Sequence, residues 1–113
     1  MAEHITIRNA PGKWVVRADG AVIGETDRAL ELTEGSYAPV IYFPRDDIGM
    51  AFLEQTAKSS HCPHKGDATY FTISTTGEEL TNAAWSYEAP KAGVEQIQDH
   101  LAFFTDRVAI EQL

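Results

Sequence analysis

The sequence predicts a mainly β fold, largely antiparallel, and three observations carry that expectation. Two pairs of apolar runs are joined by turn residues, as hairpins require. Strand-helix alternation of the kind a parallel sheet needs is missing. Apolar residues at helical spacing occur in only two stretches, near 46–58 and 91–98.

Taken in order, Ile5 and Ile7 alternate with Thr6 and Arg8, which predicts a short first strand. In VVRA-DG-AVIG, Asp19-Gly20 is a two-residue hairpin turn, because both turn positions want φ > 0. That turn places Ala18 opposite Ala21, Val16 opposite Ile23 and Trp14 opposite Glu25. Trp14, Val16 and Ile23 then line one face, with Glu25 at its end. Val40 to Phe43 reads as a strand stopped by Pro44. Asp46-Asp47 suits a helix start, and Ile48, Ala51, Phe52 and Thr56 follow at helical spacing. The expectation is one main helix over about 46–58, weakened by Gly49. A second hairpin runs from Ala68 to Tyr87 and turns near Thr76-Gly77. Its register sets Ile73 opposite Leu80 and Tyr70 opposite Ala83. Phe71, Ile73 and Leu80 share one face, and Tyr70, Thr72, Trp85 and Tyr87 share the other. Val94 and Ile97 predict a short helix near 91–98. Leu101–Phe104 and Val108–Ile110 read as closing strands.

Length predicts a single domain over 1–113, large enough to bury a core without staples. The net charge is -8, and the nine basic residues are scattered from Arg8 to Arg107. Phosphate backbones need clustered Lys and Arg, so a nucleic-acid partner is not expected. No apolar run reaches the ~20 residues that cross a bilayer, so no membrane partner is expected. MAEHITIRNAPGKW lacks the apolar core of a signal peptide, which predicts a cytoplasmic protein. The single cysteine, Cys62, excludes an internal disulfide.

The densest reactive segment is His61-Cys62-Pro63-His64-Lys65-Gly66. Thiolate is the nucleophilic form of cysteine and nearby cations favour it, so His61, His64 and Lys65 make Cys62 a candidate nucleophile. The bland alternative is a small buried residue at a strand entrance. His61, Cys62 and His64 are also metal-ligand types. Neighbours in an extended segment point to opposite sides, and no CxxC or HExxH accompanies them, so neither metal nor cofactor is expected. Lys65-Gly66 is not a phosphate loop: position 61 is His rather than Gly, and Asp67 follows. Lys65 could still hold an anion as a point charge. Tyr70, Trp85 and Tyr87 have large rings with one polar edge, which suits pocket walls as well as core. Glu25 against Trp14 would be a desolvated acid or base, although a strand-end carboxylate in water is the plainer reading.

GKWVVRADGAVIGET at 12–26, YFPRDDI at 42–48, HCPHKGDATY at 61–70, AWSYEAP at 84–90 and LAFFTDRVAI at 101–110 form a collinear set. Together they resemble the bacterial domain-of-unknown-function family 427. The resemblance implies two antiparallel sheets packed roughly orthogonally, a β-tent-like architecture otherwise seen in zinc-binding domains. The chain lacks the paired cysteines of those relatives. The family also carries a nucleotidyltransferase-like label, but no phosphate loop, paired metal carboxylates or Gly-Ser motif accompanies it here. By resemblance the motif positions are Tyr42, Pro44, His61, Cys62, Pro63, Lys65, Gly66, Tyr70, Trp85 and Tyr87. His64 stands where the family often has an aromatic residue.

These readings converge on a small-molecule site. Cys62, Lys65 and His61 are its candidate catalytic residues, and Tyr42, Gly66, Tyr70, Trp85, Tyr87 and Glu25 its candidate ligand-binding residues. The alternative is a peptide- or protein-binding module that uses the same aromatics as anchors. Whether these groups share one concave surface decides the matter.

Overall fold

Ten strands make up most of the computed structural model, which describes residues 4–113. Met1–Glu3, part of the stretch read as having no leader pattern, lie outside the described residues. The strands are β1 Ile5–Asn9, β2 Trp14–Ala18, β3 Ala21–Thr26, β4 Leu30–Glu34, β5 Val40–Tyr42, β6 Leu53–Cys62, β7 Gly66–Ser74, β8 Glu79–Tyr87, β9 Ala102–Phe103 and β10 Ala109–Gln112. They form three antiparallel sheets, ordered β1-β4-β5, β10-β2-β3 and β6-β7-β8-β9. The mainly β expectation holds, but the two-sheet arrangement is corrected to three. The ladders stay separate because only isolated bridges join further segments, Gly24 to Ile48 and Phe43 to Leu101.

The first hairpin turns at Asp19-Gly20 as expected, with φ of 50° and 79°. Ala18 faces Ala21, and then the register shifts between Val16 and Arg17. Val16 faces Gly24 and Val15 faces Glu25, so Glu25 is not opposite Trp14. The extra residue is a β-bulge, which sequence alternation does not reveal. Trp14, Val16 and Ile23 nevertheless enter one apolar cluster.

The second hairpin pairs Ile73 with Leu80, as expected, but Tyr70 with Trp85 rather than Ala83. A shift between Phe71 and Ile73 accounts for this, next to Asn82 at φ 53°. The two-face grouping survives for most of its members. Phe71, Ile73 and Leu80 pack with Val16, Ile23, Phe43 and Phe103. Tyr70, Trp85 and Tyr87 pack with Leu32, Tyr42, Val94 and Ile97. Thr72 is buried at the irregularity, where its Oγ1 accepts from the Asn82 N–H.

The main helix over 46–58 does not exist. Short 3-10 turns occupy Arg45–Asp47 and Met50–Phe52, and β6 begins at Leu53. The segment is pinned to β3: Gly49 N–H donates to the Ile23 carbonyl at 2.8 Å, and a Cβ on Gly24 would lie 2.5 Å from Ile48 Cδ1. Asp47 is held sideways, accepting from the Thr26 hydroxyl at 2.7 Å and from Arg28 Nη2 at 3.0 Å. These tertiary bonds replace the i to i−4 bonds a helix would make, and they outweigh the helix propensity of LEQTAK. The strand β6 is largely exposed and shows no apolar alternation to advertise it. The short helix after Pro90 is reduced to one 3-10 turn, Glu95–Ile97, which buries Ile97.

Candidate functional site

Pairing β6 with β7 sets Cys62 opposite Gly66 across a tight turn. Lys65 N–H donates to the Cys62 carbonyl at 3.3 Å, and Lys91 N–H donates to the Lys65 carbonyl at 3.0 Å. The Lys65 backbone is therefore held from both sides. Gly66 has φ +111°, and a Cβ there would meet the Ala89 carbonyl at 3.3 Å. Its role is to let the chain turn under the 89–91 loop, and it does not line the cavity.

So anchored, Lys65 sends its side chain inward. Nζ donates to Glu34 Oε1 at 2.7 Å, with the two side chains only 12% and 18% exposed. Nζ also lies 5.9 Å from the centre of the Tyr87 ring, a cation–π distance. Burial pulls the Lys65 ammonium down, but the Glu34 carboxylate and then the Cys62 sulfur push it up by more, and the result is above the ordinary value. The Lys65 hydrogen bond holds Glu34 below the usual carboxylate value against the opposing effect of burial. The pair is thus ionised through the neutral range.

Around it stand tyrosines that burial keeps protonated. Desolvation raises Tyr42 strongly, and the Trp85 indole N–H offsets only part of this. Desolvation pushes Tyr87 up to about 12, with Lys65 pulling the other way. Neutral hydroxyls beside an ammonium are hydrogen-bond donors rather than bases at ordinary pH.

These groups border a cavity of about 240 Å³. Lys65 and Glu34 supply its charged part, and Tyr42, Tyr70, Trp85 and Tyr87 its ring-bearing walls. Leu32 and Val40 add apolar surface, and Tyr37 and Phe104 are exposed at its rim, at 78% and 38%. Phe104 stacks on Tyr70 with centroids 6.4 Å apart and tilts against Trp85 at 4.6 Å. Tyr70 hydroxyl is fixed by Ser60 at 2.8 Å.

Of the residues singled out from sequence, Tyr42, Lys65, Tyr70, Trp85 and Tyr87 meet at this cavity. Cys62 is half-buried beside them, packed against the cluster of Leu32, Tyr42 and Tyr87. His61 is not there. Alternation along β6 turns it outward, 61% exposed, with Nδ1 2.7 Å from Asp67 Oδ1. Glu25 is not there either. It sits in an open depression with Lys13, Arg28 and Asp47. Glu34, Tyr37 and Phe104, with Leu32, Ala38 and Val40, line the cavity without having been singled out from sequence. Glu34 ends a strand 31 positions before Lys65, and no motif marks it.

A family model described as a domain of unknown function (DUF427) matches residues 6–112, and the chain belongs to that family. A search of the curated proteins finds no match.

Proposed function

We propose that this DUF427 member binds a small organic molecule in the Lys65–Glu34 cavity. The observation that carries the reading is a half-buried, fully paired ammonium–carboxylate set among four tyrosines and a tryptophan. Burying a charge pair costs desolvation energy that well-packed apolar residues would avoid, so such a pair in a concave, aromatic-walled space suits recognition better than packing. The ligand is compact, because about 240 Å³ lies below the ~300–1,000 Å³ usual for drug-sized pockets. It carries a ring or flat apolar part for Trp85, Tyr70 and Phe104. Its polar group accepts from Lys65 and the tyrosine hydroxyls, or donates to Glu34. Cys62 and Lys65 are the residues a reactive ligand would meet, and His61 has no part in it.

A second reading is kept by one observation. A neighbouring cavity of about 330 Å³ shares Ala38, Val40, Trp85 and Phe104 with the first. A longer occupant, such as a peptide with an aromatic anchor, would use both and cover Phe104.

The test is a fragment screen followed by Trp85 fluorescence, with Trp14→Phe as the background. Hits should quench Trp85, shift the Tyr70 and Tyr87 resonances and shield Cys62 from iodoacetamide. Hits that bind equally well after Trp85→Phe, and leave both tyrosines and Cys62 unaffected, would exclude this cavity. Peptides that bind while single-ring fragments do not would favour the second reading.

A further inference from the structure

Just outside the cavity, three segments far apart in sequence bring metal-ligand side chains together. His4 precedes β1, Glu34 ends β4 and His64 lies in the β6–β7 turn. One ligand atom from each lies within 4.8 Å of the other two. His4 Nε2 is 3.2 Å from Glu34 Oε2, and the His4 and His64 rings meet edge-on with centroids 4.5 Å apart. The backbone holds this arrangement. Ile5 pairs with Glu34 in the β1–β4 ladder, and Gly35 N–H donates to the His4 carbonyl at 3.1 Å.

We propose that His4, Glu34 and His64 bind a divalent transition-metal ion, with zinc the natural occupant of the donor set. Two imidazoles and a carboxylate suit Zn²⁺, Co²⁺, Ni²⁺ or Cu²⁺, whereas Mg²⁺ and Ca²⁺ want mostly oxygen. Metal–ligand bonds of ~2.0–2.2 Å require the three atoms to close slightly around the ion, and the exposed His4 is the freest of the three to move. Three protein ligands leave a fourth position for water or a ligand, the arrangement of a reactive rather than a closed structural site. Lys65 supports the site from behind. By donating to Glu34 Oε1 it fixes the carboxylate with Oε2 facing His4, as an outer partner orients a ligating carboxylate. Lys65 also offsets Glu34 charge, so affinity should fall below that of an all-cysteine structural site. Glu34 lines the cavity as well, so the ion would stand at its edge, next to whatever binds there.

The expectation of no metal rested on the single cysteine and the lack of paired ligand spacings, whereas two of these three ligands lie outside 61–66. The site is assembled from three separate segments, only one of which is 61–66. It does not depend on the small-molecule reading, because the test uses the metal alone.

The experiment is titration of tag-free protein with Zn²⁺ by calorimetry and with Co²⁺ by visible absorption. One ion per chain is expected, with Co²⁺ bands of low coordination number and no competition from Mg²⁺. His64→Phe keeps an aromatic ring against His4 and removes a ligand. It should weaken Zn²⁺ by more than about tenfold, a loss at least as large as that for outer-partner changes. His4→Gln should do the same, and His100→Ala should change nothing. Thermal melts confirm that each variant is folded. The proposal is overturned by sub-stoichiometric zinc, by equal affinity in folded His64→Phe, or by an equal loss in His100→Ala.

Discussion

On one face of the β6–β9 sheet, Phe71, Ile73, Leu80 and Phe103 bury against Val16, Ala18 and Ile23. On the other, Tyr70, Trp85 and Tyr87 gather with Tyr42, Leu32, Val94, Ile97 and Cys62. The first face packs aliphatic and Phe side chains, and many of them have almost no exposure. The second carries the polar-edged rings of Tyr70, Trp85 and Tyr87, with Tyr70 and Trp85 directly opposed in register. Those rings border the cavity that also takes in Lys65 and Glu34. Polar ring edges tolerate a partly hydrated space that an all-aliphatic face would have to collapse. One sheet thus has a dry, tightly packed face on one side and a face that borders a cavity on the other.

The sharpest way to break this comparison is to cut one large ring from the dry face. Phe43 has no exposure, so Phe43→Ala should cost ~3–5 kcal/mol. The denaturant midpoint should fall sharply or the protein should not fold. A loss below about 1 kcal/mol would mean that this face is not the main source of cohesion.

Lys65→Met should act on the other face, and less on stability than on binding. It removes the ammonium and leaves the Glu34 carboxylate half-buried without its closest partner. The expected cost is ~1–3 kcal/mol, with cavity ligands lost. Unchanged ligand affinity would place recognition away from Lys65.

The smallest effect separates the faces by pH. Tyr42, Lys65 and Tyr87 all hold protons more tightly folded than their ordinary values imply. Such groups contribute stability that is fully present below the unfolded pKa and is lost as pH rises through the folded one. For Tyr87 that window runs from the ordinary 10.0 to about 12. Stability should therefore decline from about pH 10 upward, since the unfolded chain gives up these protons first. Tyr87→Phe should flatten the decline, and an equal alkaline slope in that variant would detach it from the cavity. Glu34 carries the opposite sign: its stabilisation is present above 4.5 and is lost as pH falls through its lowered folded value.

Much of this architecture was legible before any coordinates. Asp19-Gly20 announces its turn through backbone sterics, which act locally. The separation of Phe71 and Ile73 from Tyr70 follows from the two-residue period of a strand. Five cavity residues were also visible, because Tyr42, Lys65, Tyr70, Trp85 and Tyr87 combine polar chemistry with strand positions or motif blocks. The 46–58 segment was misread for a definite reason. LEQTAK has helix-forming residues and an exposed strand has no apolar alternation, so local preference and local pattern both pointed away from β6. The register shifts at Val16/Arg17 and Phe71/Ile73 have no local signature either; the first moved a partner by one residue and the second by two.

What the chain determined by itself is what acts within a few residues: turns, alternation and the burial of one face. Tertiary structure decided everything that needs distant segments to meet. It turned His61 out to Asp67 and left Glu25 in solvent. It also brought Glu34, in the β1-β4-β5 sheet, to the ammonium of Lys65 and the imidazole of His4. A carboxylate at the end of an ordinary strand has no chemical distinction in a sequence. Its partners confer one, and they arrive only when separate sheets pack and exclude water from between them.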